Sequence, residues 1–167
     1  MRRWVIAACI AGLLNALPAA YGADQPGASG VTVAGPSSEP VTLDDDFFAR
    51  FPVTKLSVSF LSGQGQRSAT FAGPLLWSVL EQAKALDPAQ HQGQVSQFVV
   101  LTGRDGYRAV LALAELAPEF EGKQVIVARE MDDKPLGPDH LRIVVPADKR
   151  GGRSVRDIAH IEVKTIP

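Results

Sequence analysis

Polar and apolar residues alternate over Lys55-Leu56-Ser57-Val58-Ser59-Phe60, the period of a strand with one covered face. Ser62-Gly63-Gln64-Gly65 supplies a turn and Ser68 to Phe71 returns, so this stretch predicts a β-hairpin. The period changes at Gly73-Pro74. Proline is favoured in a first helical turn, where its missing N–H would be unpaired anyway. Leu75, Leu76, Val79, Leu80, Ala83 and Leu86 then recur at helical spacing and predict an apolar stripe lying on a sheet.

Downstream, strands dominate. Gln97 to Thr102 and Tyr107 to Leu111 read as strands about the turn Gly103-Arg104-Asp105-Gly106. Leu113 to Phe120 predicts a short helix ended near Pro118, and Gln124 to Glu130 a strand rich in Val and Ile. Asp132 to Leu136 is a turn, and Leu141 to Val145 a strand stopped by Pro146. Ala147 to Arg156 is a polar, basic loop, and Ile158 to Lys164 the last strand. Upstream, Ala23 to Pro40 is rich in Gly, Pro, Ser and Ala and reads as a flexible lead-in, with order beginning at Val41-Thr42-Leu43. Asp44, Asp45 and Asp46 read as the cap of a short helix through Phe47, Phe48 and Arg50; consecutive acids point in different directions, which disfavours a cation site there. Strands interrupted by few helices predict an α+β domain with mixed pairing.

The N-terminus follows a different pattern. Arg2 and Arg3 precede an uncharged run from Trp4 to Ala20, and the small residues Ala19, Ala20, Gly22 and Ala23 follow. This order predicts a secretory signal over residues 1–22, cut after Gly22, and a periplasmic or secreted product with no membrane attachment afterwards. Asn15 and Pro18 interrupt the run, which is short for a bilayer span. Arg2-Arg3 leaves export through the Sec or the twin-arginine route open.

Removing that segment changes the composition in two ways. Lys plus Arg falls from 17 to 15 against 18 acids, a net charge of about −3, which argues against nucleic acid as a partner. Cys9 is the chain's one cysteine and leaves with the signal, so the mature chain forms no disulfide and no thiolate–metal bond. With 46% hydrophobic and 21% charged residues, the remainder has the balance of one globular domain, expected over residues 41–167.

Candidate chemistry is sparse. His91, His140 and His160 lie on separate segments without a ligand-spaced second His or acid, which predicts surface hydrogen bonding and no metal site. No phosphate loop, dinucleotide fingerprint or nucleophile–base set is present. The basic loop is the exception. Lys149, Arg150, Arg153 and Arg156 cluster around Gly151, Gly152 and Ser154, flanked by Asp148 and Asp157. Such a loop can turn backbone N–H groups and arginine forks toward one anion. It can equally be a solvated loop whose arginines pair with the flanking aspartates.

From Gly73 to Val163 the sequence resembles the oxidoreductase molybdopterin-binding domain, the fold of sulfite oxidase and its periplasmic relatives. Gly73-Pro74-Leu75-Leu76-Trp77-Ser78-Val79-Leu80 is similar to the family's helix start, and Asp105-Gly106-Tyr107 to its Asp-Gly-Tyr before a strand and a helix with Glu115-Leu116. Ala128 to Leu136 is similar to its hairpin, with Asp133-Lys134 in place of the usual Asp/Asn-Gly. Leu141 to Pro146, Arg153-Ser154-Val155-Arg156 and Ile161-Glu162-Val163 are similar to its closing run.

The resemblance implies an α+β fold with a mixed β-sheet and few short helices. It implies a ligand, molybdopterin or another anionic small molecule, with Arg153, Ser154 and Arg156 at the positions that hold it in the family; Asp105 and Tyr107 of the Asp-Gly-Tyr stretch and Lys149 and Arg150 of the basic loop complete the candidate site. Arg156 stands where the family has lysine, and Asp157 where an aromatic residue often follows. Catalytic members ligate molybdenum through a cysteine thiolate, which the mature chain lacks, and this argues against molybdenum here. The expectation is therefore an exported, non-catalytic pterin- or anion-binding domain, or accessory protein. Two alternatives stand beside it: a molybdopterin-dependent oxidoreductase acting with a partner subunit, and an interaction or sensor module for an exported redox protein.

Overall fold

Val31 and Val33 fall in the expected lead-in, yet both are fully buried. They belong to β1 (Val31–Ala34), an inner strand of a five-stranded sheet. The expected flexible lead-in over residues 23–40 is thus corrected from residue 31 onward, and the domain begins before residue 41. The short alternation Val31-Thr32-Val33 is a strand pattern, but Gly, Pro and Ser on both sides conceal it in the sequence. The computed structural model describes residues 30–62, 65–86 and 93–166. The expected signal over 1–22, the Gly63-Gln64 turn and His91 lie outside the described residues.

In the five-stranded sheet, β1 pairs antiparallel with β2 (Val41–Leu43) and parallel with the last strand of the chain, Ile158–Thr165. That last strand continues the sheet antiparallel to Gln97–Gly103, which pairs antiparallel with Arg108–Ala112. The remaining elements are, in chain order, helix α1 (Asp45–Phe48), β3 (Thr54–Ser62), β4 (Gly65–Gly73) and helix α2 (Leu76–Gln82). The two sheet strands just described are β5 and β6, and helix α3 (Leu113–Leu116) follows β6. Then come β7 (Ile126–Ala128), β8 (Glu130–Met131), β9 (Lys134–Pro135) and β10 (Arg142–Val144), with Ile158–Thr165 as β11. A four-stranded antiparallel sheet runs β3-β4-β8-β9, and β7 pairs antiparallel with β10. One parallel pair among antiparallel ones, with three short helices among the described residues, is the mixed α+β arrangement that the sequence predicts.

The centre of the helical stripe is buried as predicted, but the helix runs only from Leu76 to Gln82: Pro74 lies before it, Leu75 is an extended N-cap and Leu86 falls beyond its end. Leu76, Val79, Leu80 and Ala83 of the α2 region are buried against Val33, Leu101, Leu111 and Ile161 in the main core. Each of the leucine and valine side chains contributes about 1.5–3 kcal/mol on full burial. A smaller cluster of Phe71, Ile126, Ala128 and Val144 joins the second sheet to the β7–β10 pair. Here β4 meets β7 backbone to backbone: a Cβ on Gly73 would stand 2.0 Å from the Val127 carbonyl oxygen, so only glycine fits.

Two boundaries shift for local reasons. The helix expected over Leu113 to Phe120 stops at Leu116, because Ala117 precedes a proline and takes an extended conformation. The strand expected over Gln124 to Glu130 divides at Arg129 into β7 and β8, which serve different sheets. The hairpin holds its register from Thr54 opposite Gly73 to Ser62 opposite Gly65. Asp44 caps α1 as expected, its carboxylate accepting from the Phe47 N–H at 2.7 Å.

Candidate anion-binding cleft

The basic loop is fastened to β10 by its backbone. Ile143 N–H donates to Val155 O at 2.9 Å and Ile158 N–H to Leu141 O at 3.0 Å. These two bonds bracket Arg142 on one side and Arg156 on the other, so both arginines come to the same place. Across from them stands the hairpin, which Leu61 N–H ties to Lys149 O at 3.2 Å. Between lies a cleft of about 760 Å³.

Its walls are built from four sources. The hairpin and β8 contribute Phe60, Arg67, Ser68, Phe71 and Met131, and the turn beyond β8 contributes Asp132. Asp105 and Tyr107 come from the turn between β5 and β6, and Gly151, Ser154 and Arg156 from the basic loop. Arg142 lines the cleft from β10.

Arg142 is the unusual group. Its guanidinium carbon lies 5.2 Å from the centroid of the Phe71 ring and 5.9 Å from that of Phe60. Such cation–ring contacts stabilise by about 0.5–2 kcal/mol. Its Nε is buried without a hydrogen-bond partner. Among the described residues no carboxylate pairs with it. Burial pushes its pKa down, the positive charge of Arg156 pushes the same way, and Asp157 opposes them. Uncompensated charge of this kind is destabilising until an anion joins it.

Of the seven site residues expected from the sequence, the structure gathers four around this cleft: Asp105, Tyr107, Ser154 and Arg156. Asp105 Oδ1 accepts from the Tyr107 N–H at 2.9 Å, and Ser154 Oγ accepts from the Val145 N–H at 3.2 Å. Lys149 and Arg150 are exposed and do not line the cleft. Arg153 also stays outside it. Its Nε and Nη2 hold both oxygens of Asp148 at 3.0 and 2.7 Å, and its Nη1 lies 3.1 and 2.9 Å from the two oxygens of Glu115. For Arg153, pairing with a flanking aspartate is the observed state, and its pKa is raised by the Asp148 hydrogen bonds against burial, with Glu115 helping.

The sequence pattern does not mark Arg67, Arg142 or Asp132 as site residues. A signal for Arg142 existed: it is the one charged residue inside the apolar strand from Leu141 to Val145. Arg67 and Asp132 lie far from the basic loop in sequence and reach it only through hairpin packing.

His140 and His160 lie at the surface as expected, with Nδ1 2.8 Å from Asp157 Oδ1 and 2.7 Å from Thr32 Oγ1 respectively. Among the described residues no helix is long and apolar enough to cross a membrane, and no three His, Cys, Asp or Glu side chains group as metal ligands.

The sequence matches the oxidoreductase molybdopterin binding domain over residues 26–167. The chain belongs to this family. No curated protein matches it. Among solved structures it is similar to the sulfane dehydrogenase SoxCD from Paracoccus pantotrophus, with a TM-score of 0.63 and 15% identity over 82% of this chain. The likeness is one of fold, and this chain spans 39% of that chain's length.

The family's cofactor has two halves, and the cleft treats them differently. Arginines and aromatic walls suit an anionic, planar organic group. The molybdenum half wants a soft thiolate. The cleft offers carboxylates, hydroxyls and the Met131 thioether, and the chain's one cysteine is Cys9, in the expected signal segment. The residues present fit the pterin and phosphate and do not fit the metal.

Proposed function

We propose that this member of the molybdopterin-binding family is an exported, non-catalytic binding domain that holds a pterin-type or similar small organic anion in the cleft. The observation that carries the reading is Arg142, held against two phenylalanine rings, partly desolvated, beside Arg156 and without a counter-ion among the described residues. A phosphate there gains charge-assisted hydrogen bonds from guanidinium groups already in position. The planar part of the ligand lies along Phe60 and Tyr107, and Ser154 lends a hydroxyl. Export rests on the N-terminal pattern of Arg2-Arg3, the uncharged run and the small residues before Ala23.

Titration calorimetry with 6-hydroxymethylpterin phosphate tests the reading. Wild-type protein binds it, and Arg142→Met weakens binding at least tenfold. Equal affinity in the two proteins would remove the basis of the proposal.

A second reading has one observation in its favour. Leu61, Tyr107 and Met131 line the cleft yet are exposed apolar side chains. A partner subunit covering them and supplying the missing thiolate would turn the domain into half of an oxidoreductase. Purification from the native source without a stoichiometric companion would argue against it.

A further inference from the structure

The basic loop carries two cations that the cleft does not use. Lys149 and Arg150 are exposed, lie outside the cleft and form no ion pair among the described residues. Their backbone fixes where they stand. Leu61 N–H donates to Lys149 O at 3.2 Å, and Leu61 and Arg150 form a parallel bridge. Both cations therefore stand at the Leu61 end of β3, on the side of that strand away from β4.

That side of β3 is a sheet edge. The order β3-β4-β8-β9 places β3 outermost, with β4 on one side only. The strand is nine residues long, against about 5–6 for a typical one, and it keeps unbroken register with β4. Backbone groups alternate in direction along an antiparallel strand. The Leu61 N–H points outward to Lys149, so the N–H and C=O groups of Ser59, Ser57 and Lys55 point outward as well. Among the described residues these groups have no hydrogen-bond partner. Natural edges are commonly kept short, bulged or guarded by lysine. This one has no bulge, and its lysine, Lys55, is paired with Asp133 at 2.9 Å.

The two faces of the edge differ. Leu56 and Val58 are partly buried and pack on the smaller cluster of Phe71, Ile126, Ala128 and Val144. Ser57 and Ser59 are exposed and bond across the hairpin to Thr70 and Gln66 at 3.1 and 2.8 Å. A strand laid along the edge extends the small cluster with its apolar residues and sets polar ones beside the serines.

We infer that the β3 edge docks an extended acidic segment of a partner protein, which adds as a strand along Lys55 to Ser59 and sets its acidic end on Lys149 and Arg150. Main-chain hydrogen bonds supply the affinity, and the two cations fix the register. A second copy of this chain matches the site poorly. Two β3 edges paired about Ser57 place Leu61 opposite Val53 of the second copy, where Pro52, Val53 and Thr54 offer no carboxylate. This inference goes beyond the reading of the cleft and stands without it.

Fluorescence anisotropy with labelled peptides tests it. The probes are acetyl-Thr-Val-Thr-Val-Thr-Glu-Glu-amide, the same sequence reversed, and the first peptide with Lys-Lys in place of Glu-Glu. The two glutamate peptides cover parallel and antiparallel addition. One variant is Ser57→Pro, which removes an outward N–H and no ladder bond, a position where edge strands accept proline. The other joins Lys149→Glu to Arg150→Glu, two exposed positions that leave the edge itself intact, and carries the test should the proline variant fail to fold. A glutamate peptide binds wild type at least tenfold tighter than the lysine peptide does. Each variant weakens it tenfold or more, and the charge reversal tightens the lysine peptide. Glutamate peptides that bind no tighter than the lysine peptide, that bind either folded variant as tightly as wild type, or that show no binding at about 1 mM overturn the inference. Dimerisation of the wild type in sedimentation equilibrium, lost in Ser57→Pro, would assign the edge to a second copy and overturn it as well.

Discussion

The hydroxyl of Tyr107 donates to the carbonyl of Gly152 at 2.7 Å. This bond joins the β5–β6 turn to the turn Gly151–Arg153 and so fixes one wall of the cleft relative to another. Tyr107 is half exposed, so the bond adds little to global stability and much to the local placement of Ser154 and Arg156. Tyr107→Phe is expected to change unfolding free energy by no more than about 1 kcal/mol. It lowers affinity for pterin phosphate several-fold. Denaturation and calorimetry on the same preparation check both halves.

Glu115 anchors the loop from behind. It receives Arg153 and also Lys123, whose Nζ is 3.1 Å away. Burial pushes the Glu115 carboxyl up, but the hydrogen bonds and charges of Lys123 and Arg153 outweigh it and hold the pKa below the ordinary value. A carboxyl depressed on folding contributes stability above its unfolded pKa, and that contribution is lost as pH falls through the folded one. Glu115→Gln is therefore expected to cost about 1–3 kcal/mol at neutral pH. The gap between variant and wild type narrows as pH drops below about 4.3. Urea unfolding at several pH values measures it; a gap that widens in acid contradicts this role.

A chain started at residue 41 is expected not to fold, whereas one started at residue 26 does. The first lacks β1, and with it Val31 and Val33, whose burial contributes about 1.5–3 kcal/mol each, together with two strand pairings. Domains of this size are stable by about 5–15 kcal/mol in all. Circular dichroism and thermal melting of the two chains decide the point.

Strong local periodicity made much of the fold legible. The hairpin from Lys55 to Phe71, the α2 stripe from Leu76 to Ala83 and the β5, β6 and β11 strands all have clean patterns. The hidden parts depended on distant partners. β1 is only four residues long, and the reason it is a strand lies in β11, more than a hundred residues away. The site divided in the same way. Asp105, Tyr107, Ser154 and Arg156 sit in recognisable motifs. Arg153 looks identical in composition to Arg156, yet Glu115 and Asp148 claim it, and Glu115 is 38 residues away. Arg67 and Asp132 join the cleft only because the hairpin folds over the basic loop.

The proposed function requires the pocket to accept the organic half of the family's cofactor without its metal. Protein purified from its native compartment, assayed for molybdenum by mass spectrometry and for pterin by fluorescence after oxidation, tests this directly. The prediction is pterin with molybdenum far below one atom per chain. One molybdenum per chain, retained through purification, would contradict it.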